Sequence, residues 1–176
     1  MRLVSGDGTN RLSRACVEAL SAEIEKLARN PKALIIAGND KFFSAGADLN
    51  EITHLGADAF DFALMGQRLM LAVDRFPSLV IAAVRGYCMG GGLDLALACD
   101  MRIAHPHAVF GHRGAALGLI TGWGGTQRLP RLVGKAKALE MFVAAEKLHA
   151  KAAYEIGLVN EVSEDPVARA LELARG

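Results

Sequence analysis

Three consecutive glycines at residues 90–92 join an apolar segment to a helical pattern, and this junction limits the possible folds most. The run LVIAAV at 79–84 is uniformly apolar and short, which is typical of a strand that is covered on both faces. The run LDLALA at 93–98 has the composition of a buried helix but includes an acid, Asp94. A strand that leads through a turn into a helix is the repeating unit of α/β proteins, and glycine turns before helices often bind ligands.

Short apolar strands alternate with helical patterns along the rest of the chain. The predicted strands lie at 33–38, 78–84, 101–104, 108–112 and 158–162. The predicted helices follow Ser13 and Asp48 as N-caps, span 60–76, 91–98, 136–145 and 150–157, lie within 118–134, and occupy the C-terminal end. Glu51, three residues after Asp48, completes a capping-box pattern. The alternation predicts one α/β domain over residues 1–176.

Charge and hydropathy exclude several classes of function. The 20 basic and 19 acidic residues give a net charge of +1 without an evident basic patch, which argues against nucleic-acid binding. The longest apolar run is too short to cross a membrane, and residues 1–10 lack the apolar core of a signal peptide. Cys16, Cys88 and Cys99 lie in apolar surroundings, so we expect reduced thiols in a cytoplasmic protein.

The familiar ligand motifs do not fit. The stretch GYCMGGG departs from G-x-G-x-x-G, and the Gly-Lys at 134–135 lacks the other P-loop residues. His105 and His107 flank a proline without a nearby Cys or carboxylate, which favours a surface turn over a metal site. Ser44 lies in FSAG rather than in G-x-S-x-G, which argues against a hydrolase nucleophile. We therefore expect neither a metal nor a separate cofactor.

Two turns of small residues, SAGAD at 44–48 and GGG at 90–92, each follow a predicted strand and each open a helix. Helix N-termini expose unpaired N–H groups and carry a partial positive charge. If the fold brings the turns together, two backbone N–H groups converge on one oxygen, which would suit the enolate of a thioester. The alternative is that both segments are only tight turns.

Four segments resemble the crotonase superfamily, also called the enoyl-CoA hydratase/isomerase family. They are FFSAGADLNEI (42–52), AAVRGYCMGGGLDLALACDMRIAHPHAVFG (82–111), GWGGTQRLPRLVGKAKALEM (122–141) and AAYEIGLVNEV (152–162). The resemblance runs from about residue 9 to residue 162. It implies a right-handed spiral of ββα turns, acyl-CoA thioesters as substrates, and assembly as trimers or dimers of trimers. It does not fix the reaction, because the family carries out several on one scaffold.

The resemblance also implies roles for individual residues. The oxyanion-hole N–H groups would belong to Ala47 and Gly91, and Asp94 would be the acid/base. Residues 45–49 would lie along the adenine and pantetheine of coenzyme A, while Met89 and Leu93 would flank the acyl group or, alternatively, belong to the core. The full set of candidate substrate-binding residues is Ser44, Ala45, Gly46, Asp48, Leu49, Met89, Gly90, Leu93, His112 and Gly114.

The acids depart from the family pattern. Family hydratases carry two glutamates, and the equivalent positions here are Asp94 and Gly114. Shortening a side chain by one methylene withdraws its carboxylate by roughly 1.5 Å, and a misplacement of that size can cost about 100-fold in rate. The dienoyl-CoA isomerases of the family also have Asp at the first position, but they keep further acids that this chain lacks at Gly114 and around Thr121.

Two polar residues stand beside the missing glutamate. His112 is a candidate substitute base, since an imidazole exchanges its proton near neutral pH, but the sequence favours a solvated turn histidine. Arg113 could hold a substrate carboxylate or a phosphate of coenzyme A, but a surface arginine is the favoured alternative.

The chain is shorter than family members, which usually run about a third longer. We expect part of the N-terminal hairpin and most of the C-terminal helical region to be missing, either in a naturally short paralogue or in a truncated product. Apolar surface should then be exposed and covered by other subunits or a partner.

Three functions remain open from the sequence. The favoured one is an acyl-CoA enzyme of the hydratase type, and an isomerase that needs a single acid/base is the runner-up. The third is a non-catalytic acyl-CoA-binding or interaction protein that has lost its chemistry.

Overall fold

The computed structural model describes residues 1–54 and 56–175 of the chain. Within them the strands are β1 Arg11–Leu12, β2 Leu34–Ala37, β3 Phe42–Ser44, β4 Gly46–Ala47, β5 Val80–Val84, β6 Tyr87–Met89, β7 Met101–Ala104, β8 Val109–Gly111, β9 Leu148–His149 and β10 Glu161–Val162. The α-helices are α1 Arg14–Ala28, α2 Leu49–His54, α3 Ala59–Asp74, α4 Gly91–Ala98, α5 Gly125–Val133, α6 Lys135–Val143, α7 Ala150–Glu155 and α8 Pro166–Leu173.

The strands form two four-stranded sheets and one two-stranded sheet. The first sheet is all parallel, in the order β10-β7-β5-β2. The second has the order β3-β6-β8-β9, in which only the β8–β9 pair is antiparallel. The pairs β2/β3, β5/β6 and β7/β8 each place one strand in the first sheet and the next strand in the second. The chain therefore winds as a spiral of ββα turns, which confirms the predicted α/β fold class.

Strand β5 shows why the apolar run at 79–84 is uniform. Val80, Ala82 and Val84 belong to the main core, while Ile81 and Ala83 belong to a smaller cluster on the other side of the sheet. Side chains alternate between the faces of a strand, so a strand that is covered on both faces has no polar position. Helix α8 covers the outer face, and its Ala170 is fully buried there.

Local capping signals place several helices. The Ser13 side chain accepts a hydrogen bond from the Cys16 amide at 3.2 Å and begins α1 as predicted. The predicted capping box at Asp48 and Glu51 is wrong in its second half. Asp48 Oδ1 accepts from the Asn50 amide at 3.0 Å, but Glu51 Oε2 instead accepts from the backbone amide of Arg14 at 2.7 Å. Glu51 thereby stabilises the start of α1 rather than its own helix.

The cysteines occupy the expected apolar surroundings. Cys88 and Cys99 are buried and Cys16 is half-buried, and all three are free thiols. Burial raises the pKa of the Cys99 thiol to about 12 and raises that of Cys88 well above its usual value. Separately, none of the helices in the described part of the chain has the length and apolar character needed to span a bilayer.

A buried arginine, which the sequence analysis did not identify, closes the C-terminal end of α4. Arg102 is 3% exposed, and its guanidinium donates to the carbonyl oxygens of Cys99 and Leu158, each at 2.8 Å. It also reaches the Ala96 carbonyl at 3.3 Å and the Asn160 side chain at 3.3 Å. A cation at a helix C-terminus satisfies carbonyls that have no intrahelical donor. Burial lowers the pKa of Arg102, while Cys99, Asp100 and Cys88 act in the opposite direction.

We expect Arg102→Met to lower the free energy of unfolding by about 3 kcal/mol, because buried carbonyls lose a charged donor. Urea denaturation followed by circular dichroism measures this difference. Arg131→Met is the control, since the exposed Arg131 reaches only the Gln127 carbonyl of its own helix and its loss should leave stability nearly unchanged. Equal stability of the wild type and Arg102→Met would contradict the structural role of Arg102.

Candidate active site

The first turn of α4 begins directly after a strained glycine. Gly90 has φ 52° and ψ −121°, a backbone conformation that residues with a Cβ rarely adopt. Its carbonyl accepts the Asp94 amide at 3.0 Å, which closes the first helical turn. The Gly91 amide stands at the start of this turn, where helix amides lack intrahelical acceptors and the helix dipole is positive.

The turn at 44–48 packs against this helix start, backbone against backbone. A Cβ on Gly46 would lie 2.6 Å from the Met89 carbonyl oxygen and 3.0 Å from the Gly91 nitrogen. A Cβ on Gly91 would lie 3.2 Å from the Ala47 nitrogen. Both glycines are required for this approach, because a side chain on either would separate the two turns. The structure therefore places the amides of Ala47 and Gly91 next to each other.

A cavity of about 650 Å³ opens beside these two amides. Its wall is mostly apolar and combines the two glycine turns with α3 and with the segment between β8 and α5. The apolar side chains in the wall are those of Phe42, Leu49, Ile52, Phe62, Met89, Leu117, Leu119, Ile120 and Trp123. The polar side chains in the wall are those of Asp94, His112, Arg113, Thr121 and Lys147, with Tyr87 near the rim. Such a cavity suits a ligand with an apolar body and a few polar groups.

Asp94 is the one acid among the described residues of this wall. It lies one helical turn after Gly91 and is 1% exposed. Its Oδ2 accepts a hydrogen bond from Thr121 Oγ1, and its Oδ1 lies 3.1 Å from His112 Nε2. The ring N–H is not aligned closely enough with Oδ1 to form a good hydrogen bond, although no other polar atom of the described residues bonds to either atom. The 3.1 Å separation nevertheless places the two atoms within the range of a hydrogen bond.

The segment GWGG at 122–125 packs against Gly91 and Asp94. The indole of Trp123 is 5% exposed, and its ring atoms lie 2.6 and 2.7 Å from where a Cβ on Gly91 would stand. The Phe62 ring packs on the indole with a centroid separation of 5.4 Å. A Cβ on Gly125 would collide with Asp94 Oδ1, so the first residue of α5 must be small for the carboxylate to lie where it does.

Most of the candidate residues from the sequence line the cavity. These are Ala45, Gly46, Ala47, Leu49, Met89, Gly90, Gly91, Asp94, His112 and Gly114. Three candidates do not. Leu93 is fully buried in the core, so its alternative assignment holds rather than the acyl pocket. Ser44 is also fully buried, and its hydroxyl bridges the Asn10 carbonyl and the Gly46 amide. Asp48 lies outside the cavity wall and accepts from the amide of Asn50.

The structure corrects the favoured prediction for His112. The residue is not a solvated turn histidine: it is 3% exposed, because it follows β8 directly into the space between Asp94 and the Phe142 ring. Arg113 is exposed and lines the cavity, in keeping with its prediction as a surface residue. At Gly114 a Cβ would lie 2.6 Å from the Leu119 carbonyl oxygen, so this loop conformation has no space for a longer side chain there.

The sequence analysis missed Thr121 as a partner of Asp94, and it assigned no role to Trp123 or Gly125. Thr121 and Gly125 lie 27 and 31 residues after Asp94, and neither their residue types nor their spacing reveals which of their atoms face the carboxylate. The available signal was the pair of glycines at 124–125, which indicates close packing at that turn. Across residues 1–54 and 56–175, no three His, Cys, Asp or Glu side chains come together as possible metal ligands.

Comparison with curated proteins gives two relatives with named activities. The chain is 43% identical over 160 residues to a probable enoyl-CoA hydratase of Bacillus subtilis (strain 168), a match that covers 89% of this chain and 62% of that protein. It is 46% identical over 131 residues to a crotonyl-CoA hydratase of Syntrophomonas wolfei, covering 73% of this chain and 50% of that protein. The chain therefore spans between half and two thirds of the length of these relatives.

Solved structures share the fold closely. DspI of Pseudomonas aeruginosa superposes with a TM-score of 0.92 at 41% identity, over 95% of this chain and 66% of that one. An enoyl-CoA hydratase of Bacillus anthracis superposes with a TM-score of 0.94 at 36% identity, over 99% of this chain and 70% of that one. The sequence profile described as enoyl-CoA hydratase/isomerase matches residues 1–175. The chain belongs to the enoyl-CoA hydratase/isomerase family.

Proposed function

We propose that the protein processes acyl-CoA thioesters by stabilising a thioester enolate at the amides of Ala47 and Gly91, with Asp94 as the acid/base. One observation carries the proposal: a buried carboxylate lies in a cavity wall one helical turn from two adjacent backbone amides. Amides that are fixed before the reaction stabilise a developing oxyanion without reorganisation. The names of the relatives, which are enoyl-CoA hydratases, support the same substrate class.

The chemistry follows from these three groups. In hydration, a water oxygen adds to the β-carbon and gives its proton to Asp94, while the electrons of the double bond move to the thioester oxygen. Asp94 then returns a proton to the α-carbon, which collapses the enolate. In isomerisation, Asp94 removes a proton from one carbon of the acyl chain and returns it at another, through a dienolate whose thioester oxygen is held by the same two amides. Isomerisation needs no water to be positioned, so one carboxylate is sufficient for it.

Hydratase-type chemistry is our first assignment, and isomerase activity is the runner-up. The curated relatives are named as hydratases, which favours the first. The absence of a carboxylate at Gly114 favours the second, because a second acid would otherwise help to hold the water.

The missing carboxylate at Gly114 is also the basis of the non-catalytic alternative. The Leu119 carbonyl fills the space next to Gly114, so the loop is not arranged to hold a carboxylate there. A protein that binds acyl-CoA without converting it would tolerate this loss. Conversion of any acyl-CoA in a manner that depends on Asp94 would rule this alternative out.

Charged groups at the cavity support a ligand with phosphates. Arg113 and Lys147 are exposed and both line the cavity, and Lys147 lies 5.4 Å from the centre of the Tyr87 ring. We assign these cations to the phosphates of coenzyme A, and the apolar wall to the acyl chain and pantetheine. No separate cofactor is needed for the proposed reactions.

We also propose a homotrimer or a dimer of trimers. Its support is exposed apolar surface beside the cavity, where Leu117 is 57% and Ile120 is 73% exposed. Sedimentation velocity of the chain would test the assembly. The cytoplasmic location stays a prediction.

We expect Asp94→Asn to lower kcat for crotonyl-CoA or another 2-enoyl-CoA by at least about 100-fold, because the amide cannot accept the proton. Loss of absorbance of the conjugated thioester measures hydration, and chromatography of the products detects isomerisation. Asp74→Asn is the control, since Asp74 lies at the end of α3 and faces Arg128 outside the cavity. Unchanged turnover of a panel of acyl-CoA thioesters by Asp94→Asn would remove Asp94 from the mechanism.

The role of the Gly91 N–H as a hydrogen-bond donor can be tested separately from the steric effect of adding a side chain at this position. Gly91→Ala and Gly91→Pro both place a Cβ against Trp123, but only proline removes the N–H, and proline is well tolerated at the first position of a helix. We expect kcat of Gly91→Pro to be at least about 100-fold below that of Gly91→Ala, as for other lost oxyanion donors. Equal kcat values for the two folded variants would argue against an oxyanion donor at Gly91.

A further inference from the structure

Asp94 is held from two sides by side chains of the segment between β8 and α5. Thr121 donates to Oδ2, and His112 Nε2 lies 3.1 Å from Oδ1. Both Oδ1 and Nε2 are buried, and within the described parts of the chain neither has a further hydrogen-bond partner. Since buried polar atoms in native structures are nearly always paired, each of these two atoms is the natural partner of the other.

The His112 side chain is enclosed by its neighbours on both sides. Its ring packs against Phe142 of α6 with a centroid separation of 5.2 Å, and only 4% of its side chain is exposed. On the other side, a Cβ on Gly125 would stand 3.0 Å from His112 Nε2 and would collide with Asp94 Oδ1. The imidazole therefore lies between Phe142 of α6 on one side and Gly125 of α5 and the Asp94 carboxylate on the other.

We propose that His112 is a positioning residue for Asp94: together with Thr121 it clamps the shortened carboxylate in one orientation beside the amides of Ala47 and Gly91. The inference rests on the proposed function, in which Asp94 transfers the proton. A carboxylate is an acceptor, so the tautomer that fits carries its proton on Nε2. His112 acts through Asp94 and not on the substrate.

The chemistry of the site explains why such a clamp matters. Asp94 stands where a longer acid occurs in the family, and Gly114 provides no second carboxylate. A single acid/base must then both remove and return the proton from one position, and misplacement by about 1 Å can cost about 100-fold in rate. Two contacts on the two carboxylate oxygens fix both the position and the rotation of the group, which a single contact would not.

Glutamine and asparagine at position 112 form a matched pair for the test. The amide nitrogen of Gln can take the place of Nε2, whereas the shorter Asn places its nitrogen near Nδ1, too far from Asp94 Oδ1. The probe is acetoacetyl-CoA, a β-keto thioester whose enolate absorbs in the near ultraviolet. It reports proton removal without turnover, while isothermal titration calorimetry gives its Kd. Each substitution is made in the wild type and in Asp94→Asn, and circular dichroism confirms folding.

We expect His112→Asn to reduce both the rate of enolate formation from acetoacetyl-CoA and kcat for a 2-enoyl-CoA by about 100-fold, the size expected for a misplaced acid/base. The Kd for acetoacetyl-CoA should stay within about threefold, because the backbone amides that bind the thioester oxygen are unchanged. His112→Gln should recover activity to within about tenfold of the wild type, since it restores the donor. In the Asp94→Asn background neither substitution should lower activity further, because residues that act as one unit are not additive.

His149→Asn is the control, since His149 is exposed and lies outside the cavity wall. Three results would overturn the inference while leaving the proposed function intact: wild-type enolate formation by His112→Asn, equal losses in the Asn and Gln variants, or an additional loss in the Asp94→Asn background. Wild-type protein that neither forms the enolate nor turns over any acyl-CoA would instead overturn the proposed function itself.

Discussion

The contact between the backbone of Gly46 and the first turn of α4 determines the rest of the site. It joins β4, which begins two residues after the end of β3, to the turn between β6 and α4, at a separation that leaves no space for a Cβ. The spiral brings the ends of β3 and β6 together as neighbouring parallel strands, and the small residues convert this adjacency into direct contact of the backbones.

Asp94 shows how a site can be built inside a core. The residues around it on α4 are apolar and buried, and a charged group in that position is costly unless polar partners surround it. Those partners come from a different turn of the spiral, through His112 and Thr121, and the helix therefore cannot hold its acid until the later segment has packed.

The sequence predicted the fold more fully than the site. Uniform apolar runs such as the one that forms β5, and the Ser13 cap, carry their structure locally, so their elements were predicted correctly. Strands of two or three residues, such as β1, β4 and β9, are too short for a periodic signal, and they arise because neighbouring strands offer hydrogen-bond partners. A long-range contact also explains why Glu51 does not complete a capping box: its carboxylate accepts a hydrogen bond from the backbone amide of Arg14, 37 residues away.

Burial explains where the structure places His112 and Leu93. His112 resembled a turn histidine because glycines and an arginine surround it in the sequence, and it is the packing of α6 on one side and of Asp94 and α5 on the other that encloses it. Leu93 resembled a pocket residue because it stands next to the glycines, but the helical rotation directs it into the core while Asp94 faces the cavity. The sequence predicted the glycine turn itself. The direction of each side chain depends on contacts with elements that lie later in the sequence.

The buried Arg102 makes the C-terminal end of α4 depend on contacts with a later segment of the chain. Its guanidinium links the last carbonyls of α4 to residues 158–160, the segment that leads into β10 and α8. Local opening of that segment would remove acceptors from a buried charge, so the C-terminal strand and helix should separate from the core only together with the end of α4. We therefore expect these elements to open as one cooperative unit in native-state hydrogen exchange, with similar protection at the end of α4 and in the C-terminal segment.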